Sequence, residues 1–216
     1  MEMNVSTDRI TNYSDAAVDD SPVFDGTDVS IKELHSYMRE DWNLYGFLYK
    51  FPSVSMEQAL AEMERSARET AKRIIKCNAE IADGAPVFER TNVPVRFMFD
   101  YLADVKSLKD FHWDFPSTLL EDTHDGVLTA GRILELDAYR GKENGVVHSD
   151  RGRVSGSPVF VGTRLPMIFL FEHLAVGKTL KDFRFSYSSA DPAQLVKTVE
   201  VAAKALEREF HAAVSG

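Results

Sequence analysis

The tripeptide PVF occurs at 22–24, 86–88 and 158–160, and the phrase around it recurs with it. A chain built from repeated segments folds each copy in much the same way locally, so this repeat constrains the architecture before composition does. The windows 21–53, 85–117 and 157–189 align without a gap. The second and third agree at 15 of 33 positions, where composition alone gives about two. The first agrees with the third at 10 positions and with the second at 11. Seven residues are common to all three, represented in the third copy by Pro158, Val159, Phe160, Thr163, Leu180, Phe183 and Ser189.

Each copy has the same grammar. PVF is a short β-prone run followed by a turn and a second short run, which predicts a small hairpin. Gly26 and Gly162 suit a turn position with unusual backbone angles. Arg90 stands there in the second copy, so an altered turn is expected. Pro166 is expected in a first helical turn, ahead of an apolar face formed by Phe169, Leu170, Leu174 and Ala175, with Gly177 as a stop. Thr179 with Asp182, Ser107 with Asp110, and Asn43 mark the start of a short second helix in each copy. A third helix starts after Ser55 in copy one and after Asp191-Pro192 in copy three, with Gln58 and Gln194 three residues past the cap. In copy two the acidic, glycine-bearing stretch LEDTHDG predicts an interruption, with the helix settling near 127–140.

The expected fold is mostly α with small β elements: three tandem units, each a β-hairpin followed by a tri-helical bundle. The boundaries read from the pattern are a flexible N-terminal segment at 1–20, repeat one at 21–76, a linker at 77–84, repeat two at 85–140, a linker at 141–153 and repeat three at 154–216. The expected structural anchors are Pro22, Phe24 and Phe47, then Pro86, Phe88 and Phe111, then Pro158, Phe160 and Phe183. A unit of this size is marginal alone and gains from packing on its neighbours.

Composition removes several classes. Among 216 residues, no apolar run reaches the length that crosses a bilayer, and the N-terminus lacks the basic and apolar regions of a secretory signal. One cysteine, Cys77, rules out a disulfide framework within the chain and any cysteine-cluster metal site. A cytoplasmic protein without membrane contact is expected. The net charge is −9, unevenly spread: −7 over 1–84, −5 over 85–150 and +3 over 151–216. Only the C-terminal third is basic.

The run from Gly156 through Pro158, Val159, Gly162, Thr163, Arg164, Leu165, Pro166, Gly177, Thr179, Leu180, Tyr187 and Leu195 resembles the small bacterial and archaeal domain-of-unknown-function family four-three-three. Taken three times, the resemblance covers essentially the whole chain, with copy three the nearest to the pattern and copy one the farthest. It implies homeodomain-like, helix-turn-helix domains of the kind often encoded as antitoxins beside nuclease-like toxins. The copies depart from the pattern at Arg164, which is Asn92 in copy two and Asp28 in copy one, and at Pro166, which is Ser30 in copy one. Copy three has Tyr187-Ser188 where the family has Tyr-Pro.

Two functions follow. In the first, copy three binds double-stranded DNA, with Gln194 and Lys197 near bases or phosphates and Arg164, Lys178, Lys181 and Arg184 supplying backbone-directed charge. In the second, the chain binds a protein, such as a cognate toxin, and self-associates through its hairpin strands, of which an odd number leaves an edge open. An antitoxin or transcription regulator does both, and a scaffold that has lost DNA binding does only the second. The acidic copies match a basic partner electrostatically. Nothing points to an enzyme: no phosphate loop, nucleophile elbow or helical zinc motif is present. No catalytic residue, metal or cofactor is expected. The DTHD at 122–125 reads as a solvated turn, and His112, aligned with Arg184 and Leu48, as a variable surface site.

Overall fold

The computed structural model describes residues 21–40, 43–77, 80, 84–142 and 144–215. The expected flexible segment 1–20 and most of the first linker lie outside the described residues. The fold is mostly helical with small antiparallel strand pairs. Among the described residues the order is α1 (Ile31–Glu40), α2 (Leu44–Lys50), α3 (Met56–Ile74), β1 (Ile75–Lys76), β2 (Val87–Phe88), α4 (Val95–Ala103), α5 (Leu108–Asp114), α6 (Leu120–Tyr139), β3 (Val147–His148), β4 (Val159–Phe160), α7 (Ile168–Ala175), α8 (Leu180–Ser186) and α9 (Pro192–Ser215). A single 3₁₀ turn, Val154–Gly156, precedes β4. No described helix is long and apolar enough to cross a membrane.

Identical residues produce identical local geometry. Each PVF segment turns back through a threonine whose hydroxyl donates to the PVF phenylalanine carbonyl and accepts from the N–H two residues on: Thr27 at 2.9 and 3.1 Å, Thr91 at 2.9 and 3.0 Å, Thr163 at 3.0 and 3.0 Å. The carbonyls of Pro22, Pro86 and Pro158 accept from Ile31, Val95 and Met167, which closes each loop. Arg90 does not alter the turn: its φ of 60° matches 70° at Gly26 and 81° at Gly162. A side chain is tolerated there because the left-handed conformation costs only about 1–2 kcal/mol, which the recurring threonine bonds offset. Pro166 is not in a helix. It bridges Val159 across the hairpin, and α7 begins two residues later.

The anchors also repeat in space. Phe24 meets Phe47, Phe88 meets Phe111 and Phe160 meets Phe183, with ring centroids 6.2, 6.2 and 6.4 Å apart. A third ring from the first helix closes edge-on: Tyr37 on Phe47, Tyr101 on Phe111, His173 on Phe183. All six phenylalanine anchors are buried. The caps fall where the pattern put them. Ser55–Gln58, Ser107–Asp110 and Thr179–Asp182 form reciprocal capping boxes, and Asn43 caps α2.

Two expectations fail in instructive ways. The stretch 120–126 is not an interruption but the first two turns of α6. Gly126 sits where a Cβ would lie 3.5 Å from both Ile74 and Met98, and at Gly131 it would lie 2.6 Å from the Phe171 ring. Only Gly131 admits a neighbour that a Cβ would exclude, which compensates its helix penalty of about 1 kcal/mol; the contacts at Gly126 are ordinary ones. The second linker is not featureless either: β3 lies inside it and pairs antiparallel with β4, as β1 pairs with β2.

The helices are not shared out one bundle per copy. The long helices α3, α6 and α9 pack on one another at the centre. The first helices of the second and third copies are exchanged: α4 lies mainly on α9, and α7 mainly on α6. This reciprocity is the pattern of an isologous, twofold contact, here within one chain. One apolar core accordingly runs through copies two and three and takes in Ala67, Ala71 and Ile74 of α3. A second core holds Phe24, Leu34, Leu44, Phe47 and Leu60 of copy one, with Leu136 of α6.

Candidate docking site

Two surface grooves occupy equivalent places in copies two and three. The first, about 570 Å³, is lined by Leu180, Lys181, Asp182, Arg184 and Phe185 of α8, by Pro192, Leu195 and Val196 of α9, and by Val105 from the end of α4. The second, about 850 Å³, is lined by Leu108, Lys109 and His112 of α5, by Leu120, Glu121 and His124 of α6, and by Ala175, Val176 and Gly177 at the end of α7. With copy two aligned on copy three, Leu108 answers Leu180, Lys109 answers Lys181, His112 answers Arg184, Leu120 answers Pro192, His124 answers Val196, and Gly177 answers Val105. The exchange of α4 and α7 builds both grooves. Each wall comes from one copy, and the closing corner is the helix end of the other.

A large aromatic stands outside the core at the same position of every short second helix. Tyr49 is 91% exposed, Trp113 87% and Phe185 93%. One exposed apolar residue needs no explanation, but three at equivalent positions do. Phe185 borders the first groove directly.

The sequence candidates divide between two sides of α9. Lys181 and Arg184 are exposed on the groove. Arg164 and Lys178 are exposed as well, on the hairpin turn and between α7 and α8. Among the described residues no carboxylate pairs with Arg164, Lys178, Lys181, Arg184 or Lys197. Asp182, the carboxylate beside them, is committed to its cap. The backbone N–H and then the hydroxyl of Thr179 hold its acid below the usual carboxylate range.

Gln194 is not on this surface. Its amide donates to the carbonyls of Val146 (3.2 Å) and Val161 (3.1 Å), tying α9 to the β3–β4 pair, as Gln58 ties α3 to the Asp25 carbonyl (2.8 Å). Lys197, one turn on, is a helical neighbour of Gln194, whereas Pro192 and Val196 face the groove on the far side of α9. The open stripe of α9 is Lys197, Glu200, Lys204, Arg208 and His211. Its mixed sign, and the burial of Leu195, Thr198 and Val199 beside it, leave the helix little cationic surface to lay in a DNA groove.

His112 is a structural residue. Its Nε2 lies 2.8 Å from the Thr123 hydroxyl and its Nδ1 3.1 Å from that of Thr118, and burial pushes its pKa below the ordinary histidine value. Thr123 replaces Leu195 and His112 replaces Arg184, so copy two has a polar clasp where copy three has an apolar floor and a free cation. DTHD is likewise helical. Arg73 bonds Asp125 and lies 3.5 Å from Asp122.

The strand edges are mostly consumed. β2 and β4 are each held on one side by β1 or β3 and on the other by a bridge to Pro94 or Pro166. In copy one, Val23 bridges only Ser30 among the described residues. No cluster of three or more metal-binding side chains occurs among them. Lys109, Trp113 and Val105 escaped the sequence reading. Its own alignment pairs Lys109 with Lys181 and Trp113 with Phe185, and an aromatic held through three diverged copies was the available signal. No protein-family model, curated protein or solved structure matches the chain.

Proposed function

We propose that the chain is a non-enzymatic, cytoplasmic regulator of the antitoxin type, assembled from three family four-three-three units that descend from tri-helical, homeodomain-like domains. Its main activity is to hold a protein partner at the groove of copy three. The observation that carries this reading is Phe185, almost fully exposed at the lip of an apolar groove whose two cations have no partner among the described residues. An apolar floor ringed by polar groups is the anatomy of a protein-binding patch. Co-purification of the full chain with the product of its neighbouring gene tests it. The expected result is a stable complex that Phe185→Ala dissolves; an intact complex in that variant removes the groove from the interface.

A second reading, DNA contact, is favoured by the unpaired Arg164, Lys178, Lys181 and Arg184. Anisotropy with DNA from upstream of the gene, across a salt series, decides it. Binding that falls with salt and is lost when all four become Glu supports a regulator, and no binding at low salt leaves a scaffold. Self-association through strands is confined to the Val23–Phe24 edge of copy one on this reading.

A further inference from the structure

We infer that the groove of copy three receives an acidic amphipathic helix from its protein partner, and that the equivalent groove of copy two receives a second such helix less tightly. The inference rests on the protein-binding reading above and adds the chemistry of the ligand.

Charge complementarity names the occupant. The groove floor is Leu180, Leu195 and Val196, and its rim carries Lys181 and Arg184 with Phe185 beside them in reach of solvent. A ligand that fills it needs apolar side chains at spacings of three and four for the floor and carboxylates on the flanks for the two cations. That is the surface of an amphipathic helix laid in a groove. The field agrees locally: residues 151–216 carry +3, against −12 for the rest of the chain. Asp182, the one carboxylate on this wall, is occupied by its bonds to Thr179 at 2.8 and 2.9 Å.

Duplex DNA fits the cations but not the floor, because phosphates gain nothing from covering Leu195, Val196 and Phe185. A helix satisfies both. The copy-two groove keeps Lys109 in the place of Lys181 and adds Glu121 on its α6 wall; the exposed Trp113, equivalent to Phe185, is on α5 outside the lining. The groove substitutes His112, bonded to Thr118 and Thr123, for the free Arg184. One rim cation is lost, so the second site is the weaker.

The test uses the full chain and a fluorescein-labelled helical peptide of about 16 residues, with leucine at spacings of three and four and glutamate elsewhere. A matched peptide with lysine for glutamate and a labelled DNA duplex serve as competitors for the same assignment. The acidic peptide is expected to bind at least about tenfold more tightly than the basic one. Phe185→Ala weakens it about tenfold, the pair Lys181→Glu and Arg184→Glu inverts the preference between peptides, and Lys109→Glu affects only the weaker phase. All four positions are exposed, and circular dichroism confirms that each variant folds.

Equal binding of both peptides that is still lost in Phe185→Ala overturns the acidic ligand while leaving a protein groove. DNA binding lost on charge reversal, with neither peptide bound, overturns the protein groove as well. Concentration-dependent self-association abolished by Phe185→Ala would identify the occupant as a second copy of this chain and overturn the inference.

Discussion

Copies two and three meet by exchanging their first helices, whereas copy one meets them through its last helix α3, which sends Ala67, Ala71 and Ile74 into their core, and through a polar seam around it. Between two and three, α4 and α7 cross over and a single core closes around both. Copy one supplies all of a second core except Leu136, which comes from α6. Its seam carries Arg132 donating to the Met38 carbonyl at 3.0 Å, the Leu44 N–H donating to the Tyr139 hydroxyl at 3.3 Å, and Glu64 bonded to Arg140. Arg68 reaches Glu209 at 3.1 Å, and Arg151 lies over the Tyr45 ring at 4.7 Å. Two copies that exchange helices have no separate folded state to return to. Copy one holds most of a second core among its own residues, and the ion pairs on its seam add little, because such contacts desolvate charge nearly as much as they reward it. Stability is therefore expected to be partitioned two against one.

The largest effect should come from the shared core. Phe183→Ala should cost about 3–5 kcal/mol and lower the unfolding of copies two and three together. Phe47→Ala, of similar cost, should lower only the transition of copy one. Denaturant unfolding read by hydrogen exchange at both regions decides it; a single transition lowered equally by both variants would break the comparison.

Next comes the seam. Glu135 is 1% exposed and bonded to Arg132 at 2.7 Å, and burial already pushes its carboxyl above the ordinary range. Arg132→Met strands that carboxylate at a cost of about 3 kcal/mol at neutral pH. The raised native pKa then fixes the sign: the penalty is full above it and shrinks as pH falls through it, when Glu135 is neutral. Thermal unfolding of the variant should therefore approach that of the unmodified chain on acidification, and a gap constant with pH would discount Glu135.

Gly131→Val is expected to cost about 1–3 kcal/mol, since the Phe171 ring lies where the new side chain must go. The matching Ala203→Val, on the α9 side of the exchange, provides the sharper comparison, and equal costs would show that the two crossings are equally tight. The smallest effect belongs to His112. Its native pKa is depressed by burial, so the clasp with Thr118 and Thr123 is fully stabilising above the ordinary histidine pKa and weakens as pH falls below it. His112→Gln should flatten that decline in a pH series of melting temperatures, and an unchanged slope would assign the dependence elsewhere.

Much of the local structure was legible because it rests on short-range chemistry. A capping serine or threonine with its partner three residues on, a turn threonine and an aromatic at a fixed offset each specify a contact within a few dozen residues. Ser107, Thr179 and Phe183 needed no knowledge of the rest of the molecule. The failures have the opposite character. Gly126 and its acidic neighbours read as a break before α6, because nothing local shows that the helix runs through them against Ile74 and Met98 from elsewhere in the chain. Gln194 looked like a candidate base contact because nothing local shows that two carbonyls, at 146 and 161, converge on it. The grooves were invisible for the same reason: each needs Val105 or Gly177 delivered by the neighbouring copy.

The exchange of α4 and α7 has a further consequence. A pair of separate subunits with this contact would come apart on dilution and would carry two identical faces. Tethered in one chain, the halves see each other at an effective concentration of about millimolar or more whatever the expression level. Each half is also free to drift on its own. Arg184 and His112 stand at equivalent places in the two grooves, one an exposed cation and the other held between two threonine hydroxyls, so a permanently assembled pair presents two unlike faces.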